Sequence, residues 1–299
     1  MKLKTIGLIL VIFLLAHPSL YSETVTSEET KAVTFNLKYF IDLSNLEYDD
    51  SPYAGRTNIG NIIIPNILIK TTCLDLTLGA WYRHIYVEFD EDDSPEKLYP
   101  FIAAIFRPWN YSEVIIGNYE NLFAFPNTIY NEFLFFEERA ISSGIKISLK
   151  HNKYCLFTYL DWLELDTEEH PEEFIHGILW EQSLFSFLYY KIYTHYHHKG
   201  GQLHKDTHPV RIEQDIVASP LIGVSYKGFF SEVEYYLSTF SQNFGRSHYG
   251  NGIDFKVGYA VGESLTFSYQ IWYNNNYYHQ DAHIFYQKRD NILNRLRLD

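Results

Sequence analysis

Five of the chain's 13 histidines fall within fourteen residues, at positions 195, 197, 198, 204 and 208. Imidazole is the commonest transition-metal ligand, so His197, His198, His204 and His208, with His195 and Asp206 beside them, are candidates for capturing zinc or copper. Their spacing matches no fixed ligand pattern, and Gly200-Gly201 loosens the stretch, which reads as a polar loop from Tyr196 to Gln214. A solvated loop with incidental histidines is the plainer reading. Two acidic stretches, 88–97 and 164–173, offer carboxylates to calcium but lack the spaced Asp/Gly pattern of a calcium loop. They read as solvated loops. His176 and His248 have serines or acids near them in sequence, as chance placement among so many histidines would give. There is no Gly-x-Ser-x-Gly nucleophile elbow and no zinc-protease signature. On these grounds the chain is expected not to be an enzyme, with no catalytic residue and no cofactor.

What must position such groups is β-structure. Ile253, Phe255, Val257, Tyr259 and Val261 alternate with Asp254, Lys256, Gly258 and Ala260. After Gly262-Glu263-Ser264 the pattern resumes with Leu265, Phe267, Tyr269, Ile271 and Tyr273. Side chains on a strand point alternately to opposite faces, so this is an antiparallel hairpin with one apolar face. Trp272 breaks the rule by lying on the polar side. Val33 to Ser44, Leu74 to Arg83, Ile145 to Lys150 and Ile216 to Thr239, turning at Lys227-Gly228, repeat the pattern. Pro65 interrupts the candidate strand 59–69 and should sit at an edge or bulge. Thr128 to Phe136 reads as a strand with apolar residues on both faces near its end. His283 to Leu298 is ambiguous between one strand and two. Apolar residues recur at two and rarely at three and four, so no helical window emerges.

In register with that alternation, Lys38, Asp42, Asp75, Arg83, Lys146, Glu232, Glu234, Asp254 and Lys256 point away from the apolar face. Charges of both signs there would either line a lumen and select solutes or close it by ion pairing.

Composition narrows the setting. Lys2 and Lys4 precede an apolar run from Ile6 to Ala16 and a small residue at Ser22, the form of a signal peptide over 1–22. That leaves 23–299 as one β domain, since no linker or shift in character divides it. The run is too short for a spanning helix, which takes about 20 residues. The net charge of −13 argues against a nucleic-acid partner. The 26 Tyr and 22 Phe are an excess that aromatic girdles would explain. Trp81, Trp109, Trp162 and Tyr273 are among the aromatics near strand ends. Cys73 and Cys155 could pair only from adjacent strands, and two unpaired thiols is the simpler expectation.

Taken together, the export signal, the strand lengths, the alternation of short and long connections and the terminal aromatics resemble the bacterial outer-membrane β-barrel class, the porin-like proteins. The resemblance spans nearly the whole mature chain and is a pattern, not a motif. One departure is the C-terminus, Leu296-Arg297-Leu298-Asp299, where many such barrels close on an aromatic residue. The resemblance implies an all-β fold, a single antiparallel transmembrane β-barrel located in the bacterial outer membrane. Fourteen strands is the best count, within a range of 12–16. It implies outer-membrane lipid and a small-molecule solute as partners, and leaves the oligomeric state open. A porin-like channel or solute binder is the expected function. A non-conducting barrel with adhesive or ligand-binding loops, and a barrel lipase or protease, are the alternatives. A β-sandwich or an inward-facing lipocalin-like barrel would share the alternation but needs no export rhythm of short and long connections.

Overall fold

The computed structural model of the chain describes residues 33–46, 56–71, 74–87, 97–120, 125–126, 128–129, 141–165, 171–200, 212–242, 247–262, 265–282, 286 and 292–298. The signal-peptide stretch 1–22, His204, His208 and Cys73 lie outside the described residues. Fourteen strands are described, the number favoured by the sequence. Among the described residues no helix is long and apolar enough to cross a membrane.

The chain divides into two compact units. The first contains β1 (Val33–Leu46), β2 (Arg56–Lys70), β3 (Leu74–Val87) and β4 (Lys97–Phe106), each antiparallel to the next in chain order. Ile62, Ile64, Phe101 and Ala103 are buried, while Val33, Phe35 and Leu37 are exposed. Pro65 is not at a sheet edge: β2 is paired on both sides, and Pro65 lies opposite Leu37 of β1. The ladder to β3 instead skips Ile64 and Pro65 and resumes at Asn66 in the same register. A proline has no N–H to donate, so a gap in one ladder accommodates it without a bulge.

The second unit carries β5 (Ser112–Glu120), β6 (Ile141–His151), β7 (Tyr154–Glu164), β8 (Glu173–Ser183) and β9 (Leu188–Lys199). It continues with β10 (Glu213–Tyr226), β11 (Phe229–Gln242), β12 (His248–Val261), β13 (Leu265–Asn275) and β14 (Ile292–Leu298). Again each strand pairs antiparallel with the next. The two-residue turn at Lys227-Gly228 takes positive φ at both positions, 49° and 86°, which twists in the sense the flanking strands need. Two sequence expectations change here. Thr128 and Ile129 lie in a turn within the long connection between β5 and β6, not in a strand. The strand that opens the histidine-rich stretch runs past His195 as far as Lys199, so His197 and His198, expected in the loop, are held by a ladder.

The apolar faces point outward. Ile145, Ile192, Ile222, Val233, Tyr235, Ile253, Phe255, Phe267 and Ile271 are all exposed. Water would not tolerate a continuous apolar band of this kind, whose transfer costs about 25 cal/mol per Å². A bilayer removes that cost. The opposite face is filled around Trp272, the residue that broke the hairpin's polar pattern. Trp272 is fully buried and meets Tyr236, Tyr277 and Tyr286 edge-on at centroid distances of 5.0, 5.2 and 5.5 Å. Ile129, Tyr193, Val217, Leu221 and Ala282 complete the cluster. An interior lined by strand side chains alone is therefore not what this unit shows, because Ile129, Tyr277, Ala282 and Tyr286 come from connections.

Gly252 makes the room for Trp272. A Cβ at Gly252 would lie 2.2 Å from the indole. Gly252→Ala is expected to destabilise the protein by about 1–3 kcal/mol through overpacking. Phe255→Arg, midway along β12 on the outer face, is expected to cost about 2–4 kcal/mol. Urea unfolding from phospholipid vesicles measures both; an unchanged midpoint for Phe255→Arg would mean that this face does not meet lipid.

Candidate active site

Strand β9 reads Lys191, Tyr193, His195, His197 and Lys199 along one face. His195 and His197 are buried on that inner face, whereas Ile192 is exposed on the other. In register beside them, β10 places Val217 opposite His195 and Asp215 opposite His197. On the other side β8 places Gly177 opposite His195, and Glu173 opposite Lys199. Period-two alternation on three adjacent strands thus gathers two imidazoles and two carboxylates near one end of the ladder.

The remaining ligands come from the chain just after β13. Asn276 adopts a left-handed backbone with φ of 53°, a conformation that asparagine tolerates better than most residues. It bridges to Asn251 of β12 and turns the chain back toward the inner face. Tyr277, His279, Asp281 and Ala282 are then buried, while Tyr278 between them is exposed. The backbone N–H of Gln280 donates to Asp215 Oδ2 at 2.7 Å, and that of Tyr278 to Ser238 Oγ at 3.3 Å. Ala282 N–H closes a turn onto the His279 carbonyl at 3.0 Å. The Tyr277 hydroxyl donates to the Thr128 carbonyl. Burial, with Asp215 and Glu234 nearby, holds the Tyr277 phenol well above its ordinary range, so it stays a donor.

Four titratable side chains converge. His279 Nδ1 is 2.9 Å from Asp215 Oδ1, and its Nε2 is 2.9 Å from His195 Nδ1. Asp281 Oδ2 is 3.7 Å from His195 Nδ1 and 4.0 Å from His279 Nε2. Behind Asp281, His197 spans two carboxylates, with Nδ1 at 2.7 Å from Asp281 Oδ2 and Nε2 at 2.8 Å from Glu173 Oε1. Lys199 Nζ contacts the other Glu173 oxygen at 2.9 Å. The rings of Phe125 and Tyr159 pack against His195 at 5.8 and 6.5 Å and form a dry wall. A buried imidazole pair held by a carboxylate is the chemistry of water activation, by proton transfer or by metal binding.

Of the histidines singled out in sequence, His197 is part of this centre through its bonds to Asp281 and Glu173. His198 lies on the opposite face of β9, where its Nε2 meets the Gly200 carbonyl at 2.8 Å and its Nδ1 the Tyr196 hydroxyl at 3.2 Å. The structure therefore does not bring His197 and His198 to one ligand point. His176 sits apart, 3.1 Å from Thr158 Oγ1, and His248 lies exposed at the start of β12. His279 and Asp281 were not singled out. The signal for them was a His-x-Asp triplet two residues beyond an Asn run in which the alternation stops.

The charges expected along the polar face are placed as follows. Asp75, Arg83, Lys146, Glu234 and Asp254 are buried, and Glu232 and Lys256 are half-buried. Lys38 is exposed, and the side chain of Asp42 lies outside the described part. Lys146 lies over the Tyr119 and Phe157 rings, and Lys256 over Phe230. Glu232 accepts from Tyr189, Glu234 from Ser219, and Asp254 from Gln270. Cys155 is a half-buried free thiol.

The sequence matches the model of the lipid A 3'-O-deacylase-type family over residues 25–296. The chain belongs to that family. The expectation that it is not an enzyme is thereby overturned, because the family is defined around an acyl-removing activity. Charge patterning along strands does not distinguish a channel from a barrel that carries a reaction centre, and the absence of a nucleophile elbow excluded only one kind of hydrolase. No curated protein matches the sequence. Among solved structures, the chain is similar to outer-membrane expressed OmpT of Vibrio cholerae, with 10% identity and a TM-score of 0.52 over 83% of this chain and 78% of that one. A loop-deletion mutant of the same protein gives 11% identity and a TM-score of 0.51 over 82% and 83%. The anion-selective porin of Comamonas acidovorans gives 10% and 0.50 over 82% and 80%. These likenesses show the fold, an all-β antiparallel β-barrel, as the strand pattern indicated; with that fold, membership of the lipid A deacylase-type family places the protein in the bacterial outer membrane.

Asp215 ties the 276–282 segment to the strands. Asp215→Ala removes the acceptor for Gln280 N–H and is expected to cost about 1–3 kcal/mol. Amide exchange at residues 277–282 should accelerate, as hydrogen-exchange mass spectrometry would report. Glu213→Ala, two residues away, where the carboxylate accepts from exposed Gln242, should change stability by less than about 0.5 kcal/mol.

Proposed function

We propose that the protein is an outer-membrane hydrolase that removes an ester-linked acyl chain from a lipid A-type glycolipid, and that the His195–His279–Asp281 cluster is its reaction centre. The observation that carries this reading is the buried convergence of these groups in a chain of the deacylase-type family. His279 Nε2 and His195 Nδ1 bond each other at 2.9 Å with Asp281 Oδ2 at 4.0 and 3.7 Å from them, so imidazole and carboxylate groups able to take a proton stand together in a buried site for a water that meets this cluster. Its attack on the acyl carbonyl forms a C–O bond. Collapse of the tetrahedral adduct breaks the ester C–O bond, and the proton released from water ends on the sugar oxygen. Asp215 Oδ1 stands 2.9 Å from His279 Nδ1, close enough to stabilise positive charge on that ring, and His197 fixes the orientation of Asp281.

The outer face supports the same reading, since its exposed apolar side chains meet the phase in which such a lipid resides. The longer connections join odd strands to even ones, those after β9 and β13 included, and such connections in outer-membrane barrels face the cell exterior. The pattern of charges that suggested solute selection is accounted for equally well by hydrogen bonds and ring contacts along the inner face.

The test is release of fatty acid from purified lipid A by the protein in mixed micelles. Asp281→Asn should reduce the rate by about 100-fold or more. Ser219→Ala should leave it unchanged, since Ser219 bonds Glu234 and not the cluster. Wild-type protein that releases no acyl chain, or an Asp281→Asn variant as active as wild type, would overturn the proposal.

A further inference from the structure

We infer that the outward face of β7, β8 and β9 holds one glycolipid of the surrounding outer leaflet, with aromatic rings at the strand ends against its sugar and Thr158, His176 and Thr194 against the carbonyl and hydroxyl groups just beneath. The inference rests on the deacylase reading only for the identity of the lipid, since binding at this face is scored without turnover.

The lipid-facing wall is not uniform. On β11 the outward residues run Val233, Tyr235 and Leu237, and on β12 Ile253, Phe255 and Val257. On β13 they run Leu265, Phe267, Tyr269, Ile271 and Tyr273. All are apolar or aromatic. On β7, β8 and β9 the same alternation turns Thr158, His176 and Thr194 outward among Leu160, Ile178 and Ile192. Ile178 lies opposite Thr158 on one side and Thr194 on the other, and His176 is two residues nearer the start of β8. All three polar side chains are half-buried. His176 Nε2 meets Thr158 Oγ1 at 3.1 Å, and among the described residues its Nδ1 has no hydrogen-bond partner. Whichever nitrogen carries the proton, one is left to bond outward. A polar group against lipid is costly unless it is bonded, so an ionisable side chain there marks a site. The polar groups that a bilayer offers to this face are the ester, amide and hydroxyl groups at the top of the acyl chains.

The rings stand beside this row, toward the longer connections. Trp162, Phe174, Tyr196 and His198 face outward near the ends of β7, β8 and β9. Phe174 is central, with ring centroids 6.5 Å from Trp162, 5.8 Å from Tyr196 and 5.0 Å from His198. The indole N–H of Trp162 donates to Glu172 Oε1 at 3.1 Å. His198 Nε2 donates to the Gly200 carbonyl at 2.8 Å, which leaves Nδ1 to accept from the Tyr196 hydroxyl at 3.2 Å. Rings pinned in this way form a fixed apolar platform at the level of the lipid headgroups. A pyranose has an apolar C–H face for such a platform to cover, and a glycerophospholipid has no ring. None of the outward residues named on these three strands is lysine or arginine, so a phosphate finds no charge partner among them. The chemistry thus selects an acylated sugar over a phospholipid. Glu173 and His197, next in the chain to Phe174 and His198, face the other side of the same strand ends and bond each other in the proposed reaction centre. A glycolipid held here lies at the rim beside that centre.

The experiment is native mass spectrometry of the full-length protein in detergent micelles, titrated with purified lipid A or with phosphatidylethanolamine. A lipid A carrying a photoreactive diazirine near the head of one acyl chain locates the contact. One lipid A per chain is expected, held at least about tenfold more tightly than the phospholipid, with cross-links confined to residues 154–164 and 173–199. His176→Leu, Thr158→Val and Trp162→Leu should each weaken lipid A binding by about 3–10-fold. The first two make the wall more apolar, so they do not disturb insertion, and the heat-dependent shift in electrophoretic migration shows that every variant is folded. Ile271→Leu, on the outer face of β13, should bind as wild type does. Equal retention of the two lipids by wild type, cross-links spread over β10–β13, or wild-type affinity in folded His176→Leu and Thr158→Val would each overturn the inference. Lipid A held at this face without acyl release would refute the deacylase proposal and keep the site. Acyl release by a protein with no preference for lipid A at this face would do the reverse.

Discussion

The buried carboxylate of Asp215 joins two parts of the chain that are far apart in sequence. One oxygen accepts the backbone N–H of Gln280 and the other faces His279. A carboxylate this deep in a protein is costly unless it is surrounded by donors. That cost makes the interaction a constraint: the 276–282 segment must return to the inner face of β9–β11, or Asp215 loses its partners. Everything that defines the candidate site follows from the return. It brings His279 and Asp281 to His195, and it places Tyr277 and Ala282 in the aromatic cluster around Trp272.

The barrel wall and the site obey different rules. The wall is governed by solvent: its outer face is apolar because it meets lipid, and any apolar residue of suitable size serves. The inner face of the second unit is governed by pairing. Glu232, Glu234, Asp254, Lys146 and Lys256 each have a hydrogen-bond or ring partner, and Trp272 has its space because residue 252 is glycine. Such an inner face is a framework able to hold a reactive centre rigidly, with the supporting side chains on strands and one segment folded in from the connection after β13. The segment itself is short of ladder bonds, so its position rests on Asp215, Ser238 and Thr128.

The family and the fold together change how the histidines are understood. Viewed as a sequence, the run from 196 to 208 suggested a surface loop. Strand β9 divides it by parity: His195 and His197 turn inward to carboxylates, and His198 turns outward to Tyr196 and Gly200. A one-residue shift in register would have exchanged these roles, because the period of a strand is two.

The sequence alone determined the class of fold, the place of the protein and much of the strand register, because alternation, strand length and the turn at Lys227-Gly228 are local features. It marked Trp272 as anomalous and Pro65 as a disturbance, though not how each is resolved. It put Asp254 and Glu234 on the face opposite the apolar one, since parity within a strand needs no tertiary knowledge. It could not decide the centre. His195 lies 84 residues from His279 and 86 from Asp281, and Asp215 lies 65 from Gln280. Their meeting depends on β9 and β10 being neighbours and on the chain reversing at Asn276, and neither is written in the spacing of ligands along the chain. Periodicity reports which face a residue occupies; only the packed structure decides what lies across from it.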